Sequence, residues 1–157
     1  MSRINRFQSN LQFGQRYEQL ALPYLGDFVK AEFAPQNRIF KDWDIKLTLK
    51  DGSTETYEIK TDRRCFRTGN FFIKTGDEFD KPAGLRTSKA DYYVLIEVDA
   101  LGNIICVYII DTQRLRELGN DNTHRRMAPP MSESFGFLLP QKTLDKMSEE
   151  FENNNGM

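Results

Sequence analysis

Cysteine and histidine are scarce in this 157-residue chain: two cysteines, Cys65 and Cys106, without CxxC spacing, and a single histidine, His124. A protein zinc site draws its three or four ligands mostly from those residue types, so any catalytic metal is expected on carboxylates. An excess of charge is lacking too. The 22 Lys and Arg against 23 Asp and Glu leave a net charge of −1, so binding to a polyanion must come from a local patch. No apolar run approaches the roughly 20 residues of a membrane helix, and Arg3 and Arg6 are followed by no apolar stretch of the kind a secretory leader carries. The expectation is a soluble, cytoplasmic protein with no membrane contact. Internal repeats and interdomain linkers are not evident. The composition itself, 39% hydrophobic with 12% aromatic, suffices for one ordinary core at this length. A single domain over residues 1–157 is expected, with about 1–10 and 150–157 frayed.

The most informative stretch is KDWDIKLTLKDGSTETYEIKTD, residues 41–62. Ile45, Leu47 and Leu49 alternate with Asp44, Lys46, Thr48 and Lys50, and Tyr57 and Ile59 alternate with Thr56, Glu58 and Lys60, the period-2 pattern of half-buried strands. Asp51-Gly52-Ser53 between them signals a hairpin. A three-residue loop there sets Ile45 opposite Ile59, Leu47 opposite Tyr57 and Asp44 opposite Lys60, which sorts apolar from polar faces. Glu58 then lies diagonal to Asp44. Two carboxylates so close repel unless a cation lies between them, and Mg²⁺ takes one or two carboxylates plus water and substrate phosphate. Read by itself, the same pattern also describes a solvated hairpin face with a cross-strand Asp–Lys pair. Trp43, beside it, reads as a core anchor or as a wall of the cleft.

Along the chain, apolar residues from Leu11 to Phe28 recur at spacings of three and four and predict an amphipathic helix over 11–30, bent or split at Pro23 and ended at Gly26. Glu18 borders its apolar stripe and reads as an ordinary boundary residue or as a third carboxylate for the hairpin. Residues 36–40 form a short strand. A basic segment follows the hairpin, with Arg63, Arg64, Arg67 and Asn70 before the apolar run Phe71 to Ile73, then Lys74, Lys81, Arg86 and Lys89; cations placed there would meet phosphates. Residues 90–98 and 104–110 predict a strand pair at the centre of a sheet. Residues 112–118 predict a helix capped by Asp111 or Thr112 and stopped at Gly119. Residues 119–134 read as loop, with Arg125 and Arg126 as further phosphate contacts and His124 as a surface histidine. A last strand over 135–139 and a helix from Pro140 complete the chain.

This order of features resembles the PD-(D/E)XK nuclease superfamily, especially its small phage-type and Holliday-junction-resolvase-like members. Its signature, Asp at the start of one strand and Glu-X-Lys on the next, is matched by Asp44 and by Glu58-Ile59-Lys60, with Glu18 in the place of the leading-helix carboxylate. YEIKTDRRCFRTGNFFI resembles a phage-encoded branch in which the Glu-X-Lys strand runs into an Arg-containing loop and a Thr-Gly-Asn turn. GLRTSKADYYVLI is similar to that branch's Ser/Thr-X-Ala-Asp segment. The likeness covers residues 14 to 140, with two departures: Trp43 stands where the superfamily has proline, and Lys74 where that branch has Glu.

The resemblance implies an α/β, restriction-endonuclease-like fold with a mixed central sheet flanked by helices. It implies a Mg²⁺-dependent endonuclease hydrolysing DNA phosphodiester bonds, with Mn²⁺ as a substitute, acting in the host cytoplasm on branched or replicating DNA. Asp44, Glu58 and the Ile59 carbonyl are its implied metal ligands, Glu18 assists directly or through water, and Lys60 positions the attacking water. Arg63, Arg64, Arg67, Asn70, Lys74 and Lys89 are expected along the DNA backbone. Resolvase-like proteins often act as pairs, so a homodimer is expected. Two rivals stay open: an inactive DNA-binding accessory, and a protein-interaction or inhibitor protein that keeps the nuclease fold.

Overall fold

The computed structural model describes residues 15–35, 40, 42–77, 79–120, 125–127 and 134–154. The described residues form two sheets. The larger has the order β1 (Lys30–Phe33), β2 (Ile45–Thr48), β3 (Thr54–Asp62), β5 (Tyr92–Val98), β6 (Ile104–Asp111), and the smaller has β4 (Asn70–Gly76), β8 (Ser134–Pro140), β7 (Arg125–Met127). β3 and β5 are parallel and their other neighbours antiparallel, so the central sheet is mixed. Helices α1 (residues 15–21), α2 (Cys65–Thr68), α3 (Thr112–Asn120) and α4 (Gln141–Asn154) flank the sheets. The architecture is α/β, as expected.

β5 explains why the strand reads as a continuous apolar run: both of its faces are covered. Tyr93 and Leu95 point into a core built with Phe71 and Ile73 of β4, Phe137 and Leu139 of β8, Leu115 of α3 and Leu144 of α4. Val94, Ile96 and Val98 point the other way, into a core with Tyr17 and Ala21 of α1, Ile45 and Leu47 of β2, and Tyr57 and Ile59 of β3. The hairpin's apolar residues thus belong to the α1 side. Glu58 and Lys60 alternate onto the opposite face, paired in register with Tyr93 and Leu95.

Several expectations are corrected. The leading helix ends at residue 21, followed by a 3-10 turn at Leu22–Tyr24 with Pro23 in its first turn, and Gly26 turns the chain at φ +82°. Residues 25–29 are therefore not helix and Lys30 is the first residue of β1; residues 11–14 lie outside the described residues. The β5–β6 hairpin is not central, because β3 occupies the middle and β6 an edge. α3 is capped by Asp111, whose Oδ1 accepts the N–H of Gln113 at 2.9 Å and of Arg114 at 3.2 Å. It continues through Gly119, where a Cβ would stand 2.8 Å from the Phe137 ring, so this glycine permits close packing and does not stop the helix. Arg125 to Met127 pair with β8 and are strand, not loop. Residues 150–154 belong to α4. The strand expected over 36–40 falls mostly on 36–39, outside the described residues, as does His124.

Candidate metal and phosphate site

The hairpin forms, but in a different register. Ile45 pairs with Tyr57 and Leu47 with Glu55. The loop is Lys50-Asp51-Gly52, closed by Leu49 N–H to Ser53 O at 2.9 Å and Gly52 N–H to Leu49 O at 3.0 Å. Gly52 has φ +84°, the left-handed residue that ends a three-residue hairpin loop. Asp51 Oδ1 accepts the Ser53 N–H and hydroxyl, at 2.9 and 2.5 Å, which fixes the turn. Relative to the expected pairing the strands are offset by two residues. Because side chains alternate with period 2, such an offset leaves every residue on its expected face.

One step beyond the ladder, Asp44 falls across from Glu58, not Lys60. The Asp44 N–H donates to Tyr57 O at 2.9 Å and its Oδ2 accepts the Ile59 N–H at 2.8 Å. Lys60 instead pairs with Glu58 two residues before it on the same strand, Nζ to Oε1 at 3.1 Å. Glu58 is also approached by the Ser88 hydroxyl at 3.5 Å. Glu58 keeps 13% of its side chain exposed, whereas Lys60 keeps 44%.

Electrostatics show a site short of positive charge. Burial pushes Asp44 above the usual carboxylate range, against the Ile59 N–H and Lys60, which pull it down. Glu58 is raised by burial, opposed by Lys60 and reinforced by Asp44. Glu18 on α1 is pushed up to about 7 by burial, then by Asp44 and Glu58, with Lys60 opposing. Burial alone would lower Lys60, but Glu58, Asp44 and Glu18 outweigh it and hold the ammonium above its ordinary range. The sequence-predicted quartet is therefore one interacting group.

A hard divalent cation fits this donor set. Among the described residues no three His, Cys, Asp or Glu side chains stand together as a ready metal cage, yet Mg²⁺ needs only one or two carboxylates and keeps several waters. Asp44, just ahead of β2, and Glu58 on β3 could supply those. In a strand one residue's N–H and C=O leave on the same side; since the Ile59 N–H points to Asp44, its carbonyl faces the same edge, where β2 has not yet begun.

Asp44, Glu58 and Lys60 line a cavity of about 310 Å³ together with Phe40, Trp43 and Lys74. Its far wall is Pro82–Gly84 with Thr87 and Ser88. Gly84, at φ +58°, lies so close to Lys74 that a Cβ would stand 2.4 Å from the Lys74 carbonyl oxygen. Arg116 of α3 holds this wall, donating from Nε to Leu85 O at 3.1 Å and from Nη2 to Ser88 O at 2.5 Å.

Of the expected phosphate-contacting residues, Lys74 alone lines this cavity. Arg63 and Arg67 are exposed at the far end of β3 and on α2, with Arg67 over the Phe66 ring at 5.7 Å. Arg64 is half-buried ahead of α2, and Asn70 donates from Nδ2 to Thr68 O at 3.2 Å. Lys89 is exposed and reaches Asp42 at 3.8 Å. Trp43 takes the cleft-wall position and not that of a core anchor, whereas Ser88 and Phe40 were missed as site residues. Ser88 sits in the Ser-Lys-Ala-Asp segment of the resemblance, so its signal was present. In the same segment, Asp91 Oδ2 accepts from Thr56 N–H and Oγ1, at 2.9 and 3.1 Å, locking β5 to β3.

A pH dependence follows from Glu18. A carboxyl whose folded value is raised contributes stability that is full below its ordinary value near 4.5 and is lost as pH rises through about 7. A divalent cation offsets the same repulsion, so its affinity should climb from pH 5.5 to about 7.5 and then level, with protons released on binding. Calorimetric titration of Mn²⁺ across this range checks it. Glu18→Gln should flatten the profile; a wild-type affinity independent of pH would contradict the assignment.

Neither protein-family models nor curated proteins give a match to this chain.

Proposed function

We propose that this protein is a divalent-cation-dependent phosphodiesterase acting on DNA, with a restriction-endonuclease-like arrangement of its central sheet. The observation that carries this reading is the convergence of Asp44, Glu58 and Lys60 on one open cavity with Glu18 in electrostatic reach. Asp44 and Glu58, with the Ile59 carbonyl, would hold Mg²⁺ or Mn²⁺. When bound, the cation supplies Lewis-acid polarisation of a phosphate and makes water a better nucleophile. Asp44 is held for this role by the Ile59 N–H. Lys60, less buried than Glu58, has donors to spare beyond its ion pair and orients the attacking water or a phosphate oxygen. Lys74, from the other sheet, faces the same space and neutralises charge on the DNA backbone.

One observation favours a second reading. Lys60 and Lys74 already balance two of the three carboxylates without a cation. A binding module that holds DNA without cutting it accords with that balance.

The experiment separating the two incubates the protein with plasmid, linear duplex, single-stranded and four-way-junction DNA in Mg²⁺ or Mn²⁺, and measures binding to the same forms in EDTA. Hydrolysis of at least one form, dependent on the cation, is the expected result. Binding in EDTA with no cleavage under either cation would select the binding module.

A further inference from the structure

Phe40 and Trp43 have no part in the chemistry above, yet both line the cavity that holds Asp44, Glu58 and Lys60. Their rings meet edge to face, with centroids 4.9 Å apart and planes at 76°. Trp43 is half-buried and belongs to neither apolar core. The largest apolar side chain of the protein thus forgoes core burial and lies beside carboxylates and lysines. A partly solvated aromatic wall next to cations suits a planar ring carrying an anionic group. The cavity's 310 Å³ lies near the lower end of ligand pockets, about 300–1,000 Å³, which suits one nucleotide and not a paired duplex step. A base inside a duplex has both faces covered by its neighbours; an unpaired base has a face to offer.

We propose that Trp43, braced by Phe40, stacks an unpaired nucleobase of the substrate, so that the site takes single-stranded or locally opened DNA in preference to continuous duplex. The reading rests on the proposed function for the identity of the polyanion, but its test needs no cleavage. Lys74, which lines the same cavity, then meets the phosphate attached to that base.

Trp43 is the only tryptophan, so its emission reports on this cavity alone. The probes are an end-labelled thymidine oligonucleotide and a duplex of equal length, titrated in EDTA, with label anisotropy following binding and tryptophan emission following the cavity. Saturation with the single strand should quench the emission, and the duplex should leave it nearly unchanged. Trp43→Leu should weaken single-strand binding about 10-fold, the range of one base-aromatic stack, and Trp43→Phe should restore most of it. Should Trp43→Leu fail to fold, quenching in the natural protein and the affinity of Trp43→Phe still decide. Unchanged emission at anisotropy saturation, or undiminished affinity in Trp43→Leu, overturns the proposal. Cleavage without any emission change would remove the stacking alone, and quenching without cleavage would keep the stacking and remove the hydrolysis.

Discussion

Lys60→Met should bind a divalent cation more tightly than the natural protein and cleave DNA at least ~10²-fold more slowly, the scale of a lost positioned proton donor or acceptor. The two effects have one origin. The Lys60 ammonium, 3.1 Å from Glu58 Oε1, is the charge that now offsets Glu58, and it also draws down Asp44 and Glu18. Removing it leaves three raised carboxylates without the ammonium that opposes them, a deficit that a divalent ion would fill. The same substitution removes the ammonium that we propose orients the attacking water or a phosphate oxygen. Glu58→Gln should behave oppositely on the first axis, with weaker cation binding and loss of cleavage together. Mn²⁺ titration of both variants beside single-turnover cleavage separates the roles. Weaker cation binding in Lys60→Met would mean that the lysine supports the ion and does not stand in for it.

Asp62→Ala should lower stability by about 3 kcal/mol, close to 1 kcal/mol for each of three backbone N–H groups left without an acceptor. Asp62 is 9% exposed at the end of β3. Its Oδ1 accepts from Arg64 N–H at 2.7 Å and Cys65 N–H at 2.9 Å, and its Oδ2 from Phe72 N–H at 3.1 Å. One carboxylate therefore ends the site strand, starts α2 and ties on β4. In a domain of this size such a loss lowers the melting temperature by roughly 10 °C. Asp62→Asn, keeping one acceptor oxygen, should lose about half as much. Urea unfolding measures both, and a loss under about 1 kcal/mol for Asp62→Ala would show that solvent replaces the carboxylate.

The hairpin shows what the sequence could and could not convey. Parity alone placed Glu58 and Lys60 on one face and Tyr57 and Ile59 on the other, and parity survives an offset of two. Register did not follow from pairing like with like: it was set by Gly52, the residue that takes positive φ at the last position of the loop. Reading the loop as Lys50-Asp51-Gly52 would have put Asp44 across from Glu58 at once. β5 was legible because a strand covered on both faces carries apolar residues at every position. β1 was not, because Tyr24, Leu25 and Phe28 keep a helical spacing up to its edge, and only Pro23 and the positive φ of Gly26 break it. β7 has three residues, two of them Arg, and no alternation to reveal it. Trp43 and Lys74 could be named from the sequence but not assigned to one cavity, since Trp43 precedes β2 of the larger sheet and Lys74 lies on β4 of the smaller one.

The most direct test of the account is single-turnover cleavage of labelled DNA in Mg²⁺ by the natural protein and by Glu58→Gln, both confirmed as folded. The account predicts Mg²⁺-dependent hydrolysis, abolished by EDTA and at least ~10³-fold slower in the variant, the several kcal/mol expected when a metal ligand is lost. No cleavage by the natural protein, or equal rates in the two proteins, would contradict it.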